Sequence, residues 1–260
     1  MRSSTVAIPV ALAVLFATAR ADAQDFQWRG QVGSGQAIEI KGVNGDIRAT
    51  ASSSGDVEVS ATRTARRSNP AEVRIEVVPH GGGVTICAVY PNDPDREPNR
   101  CAPGSEGKMN TRNNDTSVHF DVRVPYGVNF IGRTVNGEVH GDSLQGDAEA
   151  RTVNGSIRLT TTGRALANTV NGSIDVTMGR ADWPDEATFK TVNGAITLSV
   201  PSALNAELRA ETLNGSITAD FPITVTGQIS PRRLRGTIGS GGHELNLSTV
   251  NGSIRLLKGQ

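Results

Sequence analysis

One six-residue phrase, Thr-Val-Asn-Gly-Ser-Ile, occupies residues 152–157, 169–174 and 249–254. Near copies stand at 134–139 (TVNGEV), 191–196 (TVNGAI) and 212–217 (TLNGSI), and an outlier at 42–47 reads GVNGDI. From Asn136 the later asparagines, 154, 171, 193, 214 and 251, follow at steps of 18, 17, 22, 21 and 37 residues. A worn copy at Arg235, Gly236, Thr237 and Ile238 divides the longest step. Recurrence about every 20 residues marks a repeat architecture, in which each unit shelters its neighbour.

The residues around each phrase alternate. Before it run Ala148/Ala150/Thr152, Ala165/Ala167/Thr169, Ala187/Phe189/Thr191, Leu208/Ala210/Thr212 and Leu245/Leu247/Thr249. After it run Ile157/Leu159, Ile174/Val176, Ile196/Leu198 and Ile254/Leu256. Period two is the signature of strands with one face on a core. The valine before each asparagine falls, by phase, on the outer face. Asn-Gly is a strong turn signal because both residues tolerate positive φ. The turn set is Asn136, Gly137, Asn154, Gly155, Asn171, Gly172, Asn193, Gly194, Asn214, Gly215, Asn251 and Gly252.

The expectation is therefore all-β. Two architectures satisfy the phase. In a single-stranded β-helix, or β-solenoid, each repeat is one coil, and the asparagines stack about 4.8 Å apart as a ladder. In an antiparallel meander each Asn-Gly closes a hairpin, and Thr152 faces Ile157. Repetition of the same asparagine favours the solenoid, since a hairpin would accept other turn residues as readily.

The first residues read as an export signal. Arg2 precedes an apolar run at 6–17 that is too short to span a bilayer, and Ala21-Asp22-Ala23 fits the cleavage rule. A signal peptide over 1–23 leaves a β-solenoid over 24–260. Its parts are N-terminal rungs at 24–91, a polar inserted loop at 92–116, rich in Pro and Asn, and the repeats at 117–260. No later stretch has the length of a transmembrane helix. In the periplasm, at the cell surface or in the medium, Cys87 and Cys101 are expected to form a disulfide, with two free thiols as the alternative.

Charge and motifs restrict function. With 26 basic and 26 acidic residues the chain lacks the footprint of a nucleic-acid binder. The clusters Arg63/Arg66/Arg67 and Arg232/Arg233/Arg235 read as solvated loop charge. His80, His119, His140 and His243 are scattered, without metal-ligand spacing. No nucleophile elbow or phosphate loop occurs, and no cofactor or metal is expected. Asn154, Asn171, Asn214 and Asn251 match the glycosylation sequon, a match the repeat itself explains.

The early Val-Asn-Gly-Asp-Ile, the run Val-Pro-Tyr-Gly-Val at 124–128 and the serial TVNGSI units resemble the toast-rack, or "putative adhesin", family of exported bacterial envelope proteins, over about residues 36–258. The resemblance implies a β-helix outside the cytoplasm, acting in adhesion, envelope sensing or scaffolding. It carries over no catalytic residue. The chain departs from membrane-sensor relatives in having no transmembrane helix, and in its Cys101-bearing insertion.

Three functions follow as expectations. The first is a non-enzymatic adhesin or scaffold that binds an envelope or surface protein or a glycan through residues 92–116 and the exposed strand face. The second is a β-helix enzyme acting on polysaccharide, which would bring acidic residues together in one groove. The third is self-stacking through an open solenoid end.

Overall fold

The structure, a computed structural model, describes residues 26–183, 185–225 and 230–259. The expected signal peptide lies outside them. Strand β1 (Phe26–Gly30) is followed by β2 (Ala37–Lys41), β3 (Ile47–Ser52), β4 (Val57–Thr64), a 3-10 turn (Pro70–Glu72), β5 (Arg74–His80) and β6 (Gly83–Val89). After the polar stretch come β7 (Ser117–Pro125), β8 (Asn129–Arg133), β9 (Val139–Leu144), β10 (Ala148–Arg151), β11 (Ile157–Thr161), β12 (Ala165–Asn168) and β13 (Ile174–Met178). The rest are β14 (Ala187–Lys190), β15 (Ile196–Pro201), β16 (Ala206–Asn214), β17 (Ile217–Ala219), β18 (Ile223–Val225), β19 (Arg233–Ile238), β20 (Glu244–Asn251) and β21 (Ile254–Gly259).

These strands form two sheets. One has the order β1-β4-β7-β3-β9-β11-β13-β15-β21-β17, the other β18-β19-β16-β20-β14-β12-β10-β8-β2-β6-β5. The strands on either side of an Asn-Gly lie in different sheets, so each phrase is a corner of a coil. Neighbouring coils pair in parallel, with Ile157 beside Ile174 and Ala148 beside Ala165. Thr152 therefore does not face Ile157 across a hairpin, and the meander does not hold for the repeats. Identical units stack on their own kind because that superimposes every apolar position on an apolar position.

The interior is thin. One sheet contributes Ala148, Ala150, Ala165 and Ala167 in its middle coils, and Phe130, Phe189, Leu245 and Leu247 from the strands around them. The other contributes Ile157, Leu159, Ile174, Val176, Ile196 and Leu198, and all are buried. In the β10 and β12 coils, small side chains in one sheet accompany large ones in the other, which lets the two sheets approach closely. Burying each large aliphatic side chain is worth about 1.5–3 kcal/mol. Coils of this kind hold together by stacking, since none has a core of its own.

The order of coils in space is not their order in the chain. The first coil, β2/β3, lies inside the second, β6/β7, and β8/β9 stacks on β2/β3. At the other end β20/β21 lies between β14/β15 and β16/β17. Each outer coil carries antiparallel strands: β4 and β1 on β7, β5 on β6, β19 and β18 on β16. Antiparallel additions occupy edges that would otherwise template further chains. Residues 235–238, expected to be a worn repeat, belong to the antiparallel strand β19. They form no coil, having neither the threonine nor the asparagine of the corner.

Candidate binding face

The corner has four residues with four separate jobs. Its threonine is buried and donates its hydroxyl to the glycine carbonyl of the adjoining coil. Thr134 reaches Gly45 O at 3.1 Å, Thr152 Gly137 O at 2.9 Å, Thr169 Gly155 O at 2.9 Å and Thr191 Gly172 O at 2.9 Å. Thr249 reaches Gly194 O at 2.9 Å and Thr212 Gly252 O at 2.8 Å. The asparagines form one ladder in the order 44, 136, 154, 171, 193, 251, 214, each Nδ2 after the first donating to the preceding Oδ1 at 2.8 Å.

The glycine is required by stacking. A Cβ on Gly137, Gly155, Gly172, Gly194, Gly252 or Gly215 would stand 1.9–2.1 Å from the glycine carbonyl oxygen of the adjoining coil. None of these six has positive φ, nor has any asparagine of the ladder; of the ladder glycines only Gly45 does, at 116°. The expected reason for Asn-Gly, a turn needing positive φ, is therefore replaced by close approach of two backbones. The fourth residue faces outward. Val135, Val153, Val170 and Val250 are 37–38% exposed and Leu213 59%, and Val192 is half-buried on the same line. The corner thus presents an apolar row at coil spacing beside an amide ladder.

At the Asn44 end the ladder runs into the inserted loop. Val118 N–H donates to Asn44 O at 2.7 Å, and Asn44 Nδ2 lies 3.5 Å from Thr116 O, which also accepts from the Tyr90 hydroxyl at 2.8 Å. Burial pushes that phenol up. Residues 90–116 replace the Asn-Gly corner of the β6/β7 coil. Cys87 and Cys101 are bonded, with Cα atoms 5.7 Å apart. The buried Asn99 amide donates to the carbonyls of Tyr90, Pro91 and Asn110. Asp115 accepts from the backbone N–H groups of Ser68 at 2.9 Å and Arg67 at 3.2 Å. The Ser68 contacts, the backbone N–H foremost, hold its carboxyl down at about 2.

Under this loop is a charged cluster. Glu39, almost fully buried, accepts from Thr85 Oγ1 at 2.8 Å and from Gly104 N–H at 3.0 Å. Arg133 Nε stands 3.0 Å from its other oxygen, off the hydrogen-bonding line. Arg133 also donates to Glu149 at 3.0 Å. Lys41 donates to Ala102 O at 2.5 Å and Gly104 O at 2.6 Å, and burial lowers its pKa against the pull of Glu39. Glu39 and Glu149 share Arg133, so the arrangement pins the loop to the sheet and neutralises its own charge. Among the described residues no group of three His, Cys, Asp or Glu could hold a metal.

Residues 130–257, which hold six of the seven ladder asparagines, match the Toastrack DUF4097 family. Residues 130–257 are a toast-rack domain. Two solved structures are similar to it. One, described as a "putative cell adhesion protein" from Clostridium sporogenes, is 11% identical over 90% of this chain and 99% of that one, with a TM-score of 0.46. The other, a "putative adhesin" from Bacteroides fragilis, is 13% identical over 90% of this chain and 96% of that one, with a TM-score of 0.35. No curated protein matches the chain in sequence.

The toast-rack corner brings Asn136, Asn154, Asn171, Asn193, Asn214 and Asn251 onto one line, together with Asn44. Sequence reasoning gave the threonine no job beyond ending an apolar set. Its invariance across the exact copies was the available signal, because an inward-facing position filled only by packing would accept valine. The charged cluster was also missed. Glu39 and Lys41 on β2 are far in sequence from Arg133 and Glu149, and the four meet only because β2, β8 and β10 are neighbours. Among the described residues no helix is long and apolar enough to cross a membrane.

Proposed function

We propose that this chain is an exported, non-enzymatic adhesin or scaffold of the bacterial cell envelope, binding an extended surface protein or glycan along its toast-rack corners. The observation that supports this reading best is the outward row Val135, Val153, Val170, Val192, Val250 and Leu213. The adjoining threonine and asparagine side chains are engaged in holding the coils, and the row lies outside the buried core. A rigid apolar line at strand spacing suits a partner that is itself extended. Export rests on the basic and apolar character of residues 1–23, and in this reading the mature chain is 24–260. Periplasm, cell surface and medium all fit. Residues 92–116 would flank the row at its Asn44 end.

The test is binding of the exported chain to a glycan array and to purified envelope proteins, compared with a Val153→Lys/Val170→Lys variant. The reading predicts binding that the variant loses while its strand content and unfolding midpoint stay near those of the parent. Absence of any such partner, or turnover of an acidic polysaccharide by the parent chain, would contradict it.

A further inference from the structure

Asn-Gly is the dipeptide most prone to spontaneous deamidation, because the glycine nitrogen meets no side chain on its way to the asparagine amide. The ladder contains every Asn-Gly of the chain, seven in all. Six have the attacking nitrogen engaged. Gly45 N–H donates to Asn136 O at 2.8 Å, Gly137 to Asn154 O at 3.0 Å and Gly155 to Asn171 O at 2.9 Å. Gly172 donates to Asn193 O, Gly194 to Asn251 O and Gly252 to Asn214 O, each at 3.0 Å. The same asparagines have Oδ1 occupied by the next Nδ2 of the ladder.

The ladder ends at Asn214. Among the described residues the Gly215 N–H has no acceptor, and nothing donates to Asn214 Oδ1. Gly215 is the one exposed glycine of the seven, and Leu213, Asn214 and Ser216 around it are exposed as well. Beyond it the sheet stops at the three-residue strand β17, paired on one side with β21.

We propose that Asn214 is a site of spontaneous deamidation and isoaspartate formation, and that the stack protects the other six Asn-Gly pairs. The Gly215 nitrogen attacks Asn214 Cγ. The N–Cγ bond forms, the Cγ–Nδ2 bond breaks, and ammonia leaves with the proton lost from the glycine nitrogen. Water then opens the succinimide at either carbonyl, giving aspartate or isoaspartate. Neither product has the Nδ2 that donates to Asn251 Oδ1, and isoaspartate also lengthens the backbone by one carbon. As the Asn214 coil loosens, Gly252 N–H loses its acceptor at Asn214 O, so Asn251 is the next residue exposed to the same chemistry. Modification enters at one end of the ladder and follows its spatial order.

The experiment incubates the folded full chain at mildly alkaline pH and quantifies aspartate and isoaspartate at all seven asparagines by peptide mapping, beside a sample held in denaturant. Local opening must precede attack at a protected pair, so conversion at Asn214 should run at least about tenfold faster than at any other Asn-Gly in the folded chain. In denaturant the seven should react at similar rates. Equal rates in the folded chain, a faster site elsewhere in the ladder, or no reaction at Asn214 while the denatured chain converts would each overturn the proposal.

Discussion

Asn193 hydrogen-bonds Asn251, 58 residues further along the chain, and does not touch Asn214, the next repeat in sequence. Asn251 in turn accepts from Asn214 Nδ2. The last coil therefore fills a slot between the two that precede it. The first coil is likewise inside the second, so both coil-forming ends are held in the stack. The outermost coils are left to carry antiparallel strands and the disulfide-bonded loop.

The buried threonines hold coil to coil. Replacing Thr191 by valine keeps the shape but leaves Gly172 O without its hydroxyl partner. Stability should fall by about 1–3 kcal/mol, the cost of an unsatisfied buried polar group. Urea unfolding of Thr191→Val against the parent checks this. A change smaller than the error of the extrapolation would show that the bond adds nothing.

Stacking, and not backbone conformation, requires the corner glycines. Gly155→Ala would place a methyl 1.9 Å from Gly137 O and should cost about 3 kcal/mol or more, at the upper end of overpacking. Gly55, which also has no positive φ, has nothing within 4 Å of a built Cβ, so Gly55→Ala should be near neutral. Melting temperatures of the two variants make the comparison, and equal shifts would contradict it.

The repeat spacing and the two-residue alternation made the strands and inward faces readable, down to the outward valines. The pairing of coils was not readable. All corners carry the same residues, so Asn251 fits against Asn193 as well as Asn214 would, and only the length of the 215–243 connection lets it reach. The reason for Asn-Gly was misjudged, because a preference shared with hairpins conceals a contact between coils. The corner replaced by residues 90–116 left no trace in the repeat count, having lost its Asn-Gly.

The disulfide fastens the inserted loop. It closes a loop with a sequence separation of 14 residues, which corresponds to about 3 kcal/mol in the chain-entropy account. Cys87→Ala/Cys101→Ala should lower unfolding stability by about that amount and speed proteolysis within 92–116. Unchanged stability and unchanged cleavage would show that Lys41, Asn99 and their carbonyl partners hold the loop without it.

Asp115 makes one part of this region acid-sensitive. Its carboxyl, ordinarily at 3.8, is held at about 2 in the fold, so folding favours the ionised form. The contribution is complete above the unfolded value near pH 4 and disappears as pH falls through 2. The stability advantage of the parent over Asp115→Asn should therefore shrink between pH 4 and pH 2. Thermal unfolding of both proteins across that interval measures it, and a constant difference would contradict the assignment.

The exchanged order of coils is tested most directly by engineered cysteines on the outward row. Val192 and Val250 stand on adjoining coils about 4.8 Å apart, within disulfide range, whereas Val192 and Leu213 are two coils apart, beyond it. With Cys87–Cys101 left intact, Val192→Cys/Val250→Cys should oxidise to an intramolecular disulfide, and Val192→Cys/Leu213→Cys should keep two free thiols. Bonding of 192 to 213 and not to 250 would mean that the coils follow chain order, and the account of the stack would be wrong.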